Sequence, residues 1–216
     1  MTRTTSLVSL FACTAAAAAL LASGCASAPP LGEFQFQPDG TVIQYHRVSS
    51  GSYGQADGPV VWTQSRDTWM GKPVVKAASN NAGINLVDPA THGLLAVLNN
   101  AGQPTLSFDP PLGYAWPLEV GKAWTAQHTM TLHATKRQVP MTVSYRVEAL
   151  EDVSVPAGTF KTFRVLATDN FGEVQQVWTA PSVGLGTVKR ILDRPASHPS
   201  GAGHLEGVLT ARTLPK

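Results

Sequence analysis

The sequence predicts an all-β fold: antiparallel strands in a strongly curved sheet, barrel or sandwich, preceded by a helical signal peptide. Three observations predict it. Apolar and polar residues alternate with period two over successive short runs, the pattern of half-buried strands. Between the runs lie clusters of Gly, Asn, Asp and Pro with turn chemistry. After residue 25 no run carries the 3.6-residue period of an amphipathic helix. Regularly spaced strands without helices belong to sheets that pack or curl, and curling closes exposed edges.

The first residues read MTRTTSLVSLFACTAAAAALLASGC, with Arg3 the only charge. The apolar stretch that follows is about 15 residues long, short of the roughly 20 that a spanning helix needs. It fits the apolar core of an export signal, and the small residues before Cys25 suit a signal peptidase. An ordinary secretion signal cut after Ala28 is the alternative. Against that, Leu21-Ala22-Ser23-Gly24-Cys25 resembles the lipobox of bacterial lipoproteins, with Ala22 standing where that family prefers Leu. The resemblance implies cleavage between Gly24 and Cys25 and a diacylglycerol on the Cys25 thiol. Cys13, the other cysteine, falls inside the discarded signal. Cys25 is then the lone thiol of an exported chain, and lipidation explains it. Each buried methylene contributes about 0.8 kcal/mol, and stable anchoring takes two chains or more. The chain is thus expected to be anchored to a membrane through lipid on Cys25. Ala26 follows the cysteine where an Asp would resemble the inner-membrane retention signal. In a Gram-negative host this places the protein on the outer membrane, facing the periplasm.

Residues 1–24 are therefore read as signal peptide, 25–33 as a lipidated tether and 34–216 as a single β-rich domain. Small residues and Pro29-Pro30 keep the tether from forming helix or sheet. In the domain, Met141, Val143, Tyr145, Val147 and Ala149 share one face, opposite Thr142, Ser144, Arg146 and Glu148. Residues 124–132 alternate likewise. Similar runs cover 41–48, 59–63, 74–78, 93–99, 160–168, 174–180, 187–192 and 205–213, about ten strands in all. Val155-Pro156-Ala157-Gly158 suits a type I turn, and strands on both sides make a hairpin.

Several phrases in the C-terminal half are distinctive. They are Asp109-Pro110-Pro111-Leu112-Gly113-Tyr114-Ala115-Trp116-Pro117-Leu118, then Val120-Gly121-Lys122-Ala123-Trp124, Val155–Phe160 and Trp178–Gly184. Together, across roughly residues 105–193, they resemble a family of uncharacterised proteobacterial envelope lipoproteins with a mostly-β domain of unknown function. The resemblance implies an envelope location and a β fold, and it brings no catalytic residues. Physically the phrases read as backbone devices. Pro110-Pro111 holds the start of a loop extended. Gly121 turns the chain into the strand at Trp124. Pro181 ends the strand of Trp178, with Gly184 and Gly186 permitting a tight return.

Composition excludes some functions. The chain carries 16 Lys and Arg against 14 Asp and Glu, and no basic cluster of the kind nucleic acid requires. The six histidines have no metal-ligand spacing: His128 and His133 fall on opposite faces of one strand, and His198 and His204 lack a third ligand. No metal and no cofactor are expected. There is no G-x-S-x-G elbow, and Glu151-Asp152 points to opposite sides of a strand, so no catalytic residue is assigned. Five tryptophans are many for this length, and Trp69 and Trp116, in Gly/Pro-rich segments, are the candidate ligand-binding surface. The expectation is a non-enzymatic envelope lipoprotein binding an amphiphile, a glycan or a protein. An envelope hydrolase with a dispersed active site is the alternative. A closed barrel with an apolar interior would favour the amphiphile.

Overall fold

The computed structural model describes residue 32, residues 34–181, residue 183 and residues 186–216. The signal peptide, the Gly24–Cys25 cleavage point, the lipidation of Cys25 and the tether apart from Gly32 lie outside the described residues. So do Ser182, Gly184 and Leu185.

The described residues form twelve strands. They are β1 (Val42–Gly51), β2 (Ala56–Trp69), β3 (Lys72–Ser79), β4 (Ile84–Val87), β5 (Leu94–Leu98), β6 (Pro104–Leu112), β7 (Ala123–Leu132), β8 (Arg137–Val155), β9 (Gly158–Asp169), β10 (Val174–Thr179), β11 (Thr187–Arg194) and β12 (Gly203–Thr213). Each pairs antiparallel with its sequence neighbours, and β1 closes on β12 from Val42↔Thr213 to Gly51↔Gly203. The result is a closed up-and-down barrel, with no free sheet edge to template association. Two of the strands lie outside the alternating runs. β4 has only four residues. β6 contains Pro104, Pro110 and Pro111, and it pairs with β7 only from Leu106 to Asp109, so its prolines need donate nothing to that ladder.

Strand reversal sorts the connections to two ends. One end, called proximal here, carries residues 34–41, the C-terminus, loops 70–71, 88–93, 113–122 and 156–157, and Ala180 and Pro181 after β10. The other connections lie at the distal end. The N-terminal segment is tied down at the proximal end. Leu118 N–H donates to Gly32 O at 2.9 Å, and Gln64 Nε2 donates to Gln37 O at 2.6 Å.

Alternation along each strand then sets what faces in. On β8, Met141, Val143, Tyr145 and Val147 are buried while Ser144, Arg146 and Glu148 are exposed. An apolar inside with a charged outside is the reverse of a barrel that faces lipid tails. The interior holds two apolar clusters. One gathers Ile43, Tyr45, Val60, Trp62, Val188 and Leu209 around β1, β2, β11 and β12. The other gathers Phe108, Leu118, Val143, Tyr145, Phe163 and Val165 around β6–β9. A third group, Val74, Leu86, Ala96 and Leu98 with Trp69 against it, lies on the outer face of β3–β5. Eight-stranded barrels are filled by their own side chains, whereas larger ones leave room. With twelve strands this barrel keeps space between its two interior clusters.

Candidate functional site

The site lies at and behind the proximal mouth. Loop 113–122 folds across this end. Leu118 is buried in the second interior cluster, Gly121 turns at φ 89°, and Lys122 Nζ donates to the carbonyls of Ala115 and Pro117, the latter at 2.7 Å. Trp124, next on β7, stacks on Tyr145 at 4.8 Å between centroids, and Tyr145 meets Tyr114 edge-on at 5.8 Å. The loop is threaded against loop 88–93 so closely that a Cβ on Gly113 would lie 2.8 Å from Gly93 Cα. Only two residues without side chains permit that crossing.

Aromatic rings gather in the mouth. Phe34 stacks on His92 at 4.6 Å, touches Phe36 at 4.8 Å and lies 5.3 Å from Trp116. His92 takes φ 60°, an uncommon left-handed conformation for a residue with a side chain. Burial lowers the pKa of its imidazole below the usual histidine value, and nearby Asp88 opposes this only in part.

Behind these rings is a cavity of about 200 Å³, lined among others by Phe34, Trp62, Val87, Leu94, Leu112 and Arg190. A second cavity of about 150 Å³ shares the Leu94–Leu112 wall and continues past Tyr114 and Tyr145 to Asp169 and Glu173 near the distal end. Binding pockets for small molecules measure roughly 300–1,000 Å³ and are mostly apolar with a few placed polar groups. Each space is smaller than that range, and the two share the Leu94–Leu112 wall. Tyr45 beside the first cavity donates its hydroxyl to Thr187 O at 2.7 Å, and burial raises its pKa, so it stays a neutral phenol.

The sequence candidates are distributed unevenly. Trp116 stands at the mouth, against Phe34 and Tyr114. Trp69 packs on the outer cluster of β3–β5, so the structure does not bring the two together. Trp62, His92 and Arg190, which line the first cavity, were not singled out by sequence reasoning. Arg190 carries a legible signal in retrospect: it shares the face of Val188, an apolar face of its strand.

A hydrolase with a dispersed active site needs an acid–base pair within reach of a pocket. His46 lies 2.9 Å from Asp57, and His204 lies 2.7 Å from Asp193, all on the exposed outer surface. Asp88, beside His92, spends its oxygens on the Ala90 amide and the Thr91 hydroxyl. His198 has Asp169 and Glu173 as neighbours, with ligating atoms within 4.8 Å of one another. Those carboxylates are already engaged. Arg194 pairs with Glu173, Gln175 donates to it at 2.5 Å, and Asp169 Oδ1 accepts the amides of Phe171 and Glu173. The trio sits at the distal end, with the Glu173 charge paired to Arg194. The adjacent carboxylates of Glu151-Asp152 separate as expected, with Glu151 Oε1 accepting from the indole of Trp178 at 2.7 Å.

No family model and no curated protein matches the sequence. Solved structures do. The chain is similar to a candidate lipoprotein from Parabacteroides distasonis ATCC 8503, with 13% identity and a TM-score of 0.44 over 85% of this chain and 100% of that one. A candidate exported protein with YmcC-like fold from Bacteroides fragilis NCTC 9343 is similar at 15% identity and TM-score 0.44, over 83% and 98%. The hypothetical lipoprotein YmcC from Escherichia coli K12 is similar at 11% identity and TM-score 0.45, over 83% and 86%.

Proposed function

We propose that this chain is a lipid-anchored envelope protein whose barrel takes the apolar part of an amphiphile into its interior through the proximal mouth. The observation that carries the reading is the first cavity: a space with aromatic and aliphatic walls and a few polar groups, Asn85, Thr187 and Arg190 among them, at the end where the chain enters the barrel. The anchor strengthens it. Gly32 is fixed at the proximal end, and the seven residues back to Cys25 reach at most about 25 Å. A diacyl group on Cys25 therefore holds the mouth against the bilayer surface. Three of the large apolar residues exposed on the barrel lie at that end: Met70 (81% exposed), Val120 (55%) and Leu214 (47%). Apolar tips on a charged barrel suit contact with a membrane interface. The charged outer face keeps the barrel itself out of the hydrocarbon.

Native mass spectrometry of the mature protein, released gently from its own membranes, tests the reading. The expected spectrum carries an adduct with the mass of an amphiphile, and Leu112→Trp, which fills the cavity, removes it. Recovery of bare protein alone, from membranes never exposed to harsh detergent, would overturn the proposal.

A further inference from the structure

One row of inward-facing residues crosses the barrel wall above the cavity: Gly58 on β2, Arg47 on β1, Gly207 on β12, Arg190 on β11 and Val177 on β10. It places two guanidinium groups on the inner wall, one of them, Arg190, at a cavity that also has Asn85, His92 and Thr187 in its lining. The glycines make the room. Arg47 has Gly58 and Gly207 as its partners on either side, and the Arg190 side chain lies over Gly207, where a Cβ would come within 3.2 Å of Nε.

The two arginines differ in how they are satisfied. Arg47 donates to Tyr53 O at 2.7 Å and to Ser49 Oγ at 3.2 Å. Arg190 borders the first cavity, and among the described residues no carboxylate or hydrogen-bond acceptor pairs with its guanidinium. The interior carboxylate Glu173 is taken by Arg194, which in turn lies over the ring of Tyr53 at 3.9 Å. Arg47 adds positive charge instead of relieving it; its own pKa is lowered by burial and by Arg190. Arg190 is half-buried, and its guanidinium keeps free donors at the cavity wall. A guanidinium offers a planar fork of donors that matches the two oxygens of a carboxylate or phosphate.

We propose that the barrel selects amphiphiles with an anionic oxyacid head, carboxylate or phosphate, held by Arg190 while the chain lies along Trp62, Leu94 and Leu112. The inference rests on the amphiphile reading above and adds the sign and chemistry of the head. Neutral and cationic heads leave Arg190 unpaired and are disfavoured.

The test uses the mature lipidated protein in nanodiscs of zwitterionic lipid, titrated by calorimetry with octanoate, octyl phosphate, octanol and octyltrimethylammonium, with empty nanodiscs as blank. Inorganic phosphate alone is a fifth arm. The expected result is binding of the two anionic amphiphiles about tenfold or more tighter than octanol, the scale of a charge-assisted bond. Arg190→Gln should erase that preference while octanol binds as before, and Arg190→Lys, which keeps charge without the fork, should retain part of it. Equal affinities for octanoate and octanol, unchanged in Arg190→Gln, would overturn the head-group assignment and leave the amphiphile reading standing. Inorganic phosphate binding as tightly as octyl phosphate would likewise overturn it, since the chain would then contribute nothing. Failure of all four octyl compounds to bind would overturn both.

Discussion

His92 joins backbone, ring stacking and protonation at one position. Its positive φ aims the imidazole at Phe34, and burial there favours the neutral ring. The folded state therefore binds the His92 proton more weakly than the unfolded chain does. Above pH ~6.5 neither state is protonated and the stacked ring contributes fully; as pH falls through that value, the unfolded chain gains the proton first and stability is lost. His204 has the opposite sign. Its hydrogen bond to Asp193 raises its pKa, so that contribution is present below pH ~6.5 and fades as pH rises through the folded-state value. Thermal melts across pH 5–8 separate the two. His92→Phe should lose the wild type's extra acid sensitivity, and His204→Asn should lose extra alkaline sensitivity. Parallel curves for His92→Phe and wild type would show that the ring is not held neutral.

At the scale of elements, loop 113–122 decides whether the proximal end is built. It is held by one buried side chain, one left-handed glycine and one lysine bonded to two carbonyls. Leu118→Ala should cost about 2–5 kcal/mol, as for a fully buried leucine. Gly121→Ala should cost about 1–2 kcal/mol because its φ is positive with open space beside it. Urea denaturation checks both, and a Leu118→Ala loss under 1 kcal/mol would mean the loop is not anchored by its leucine. This loop was legible in the sequence as phrases without a purpose: the glycine and the prolines announced a turn, but nothing local said that Tyr114, Trp116 and Leu118 fold inward across a mouth. Period two found ten of the strands because their two faces meet different solvents. β4 was too short to show a period. β6 broke the rule against proline, which binds only where a ladder needs the amide. The runs also underestimated β2 and β8, whose ends pass through Gly58 and the charged stretch at Glu151-Asp152. Arg190 was hidden for a related reason. Lys189 and Arg190 are adjacent charges on opposite faces of one strand, and only pairing with Val177 and Gly207 shows that Arg190 is the inward one.

For the whole molecule, closure and anchoring act together. The barrel closes by pairing β1 with β12, and on the proposed reading the one cysteine kept after signal cleavage carries lipid. Cys25→Ala should therefore release the protein from carbonate-washed membranes while its β-sheet circular dichroism and melting temperature stay unchanged. Persistence of that variant in the washed membrane pellet would contradict lipid anchoring through Cys25. On the proposed reading a membrane amphiphile reaches the interior through the proximal mouth, because the paired wall has no seam. The most direct measurement is photolabelling of membranes that contain the mature protein with a diazirine fatty acid, followed by peptide mapping of the insertion sites. Label on the cavity residues Phe34, Trp62, Leu94 and Leu112 is the predicted result; label confined to outer residues such as Met70, Val120 and Leu214, with the interior clean, would contradict it.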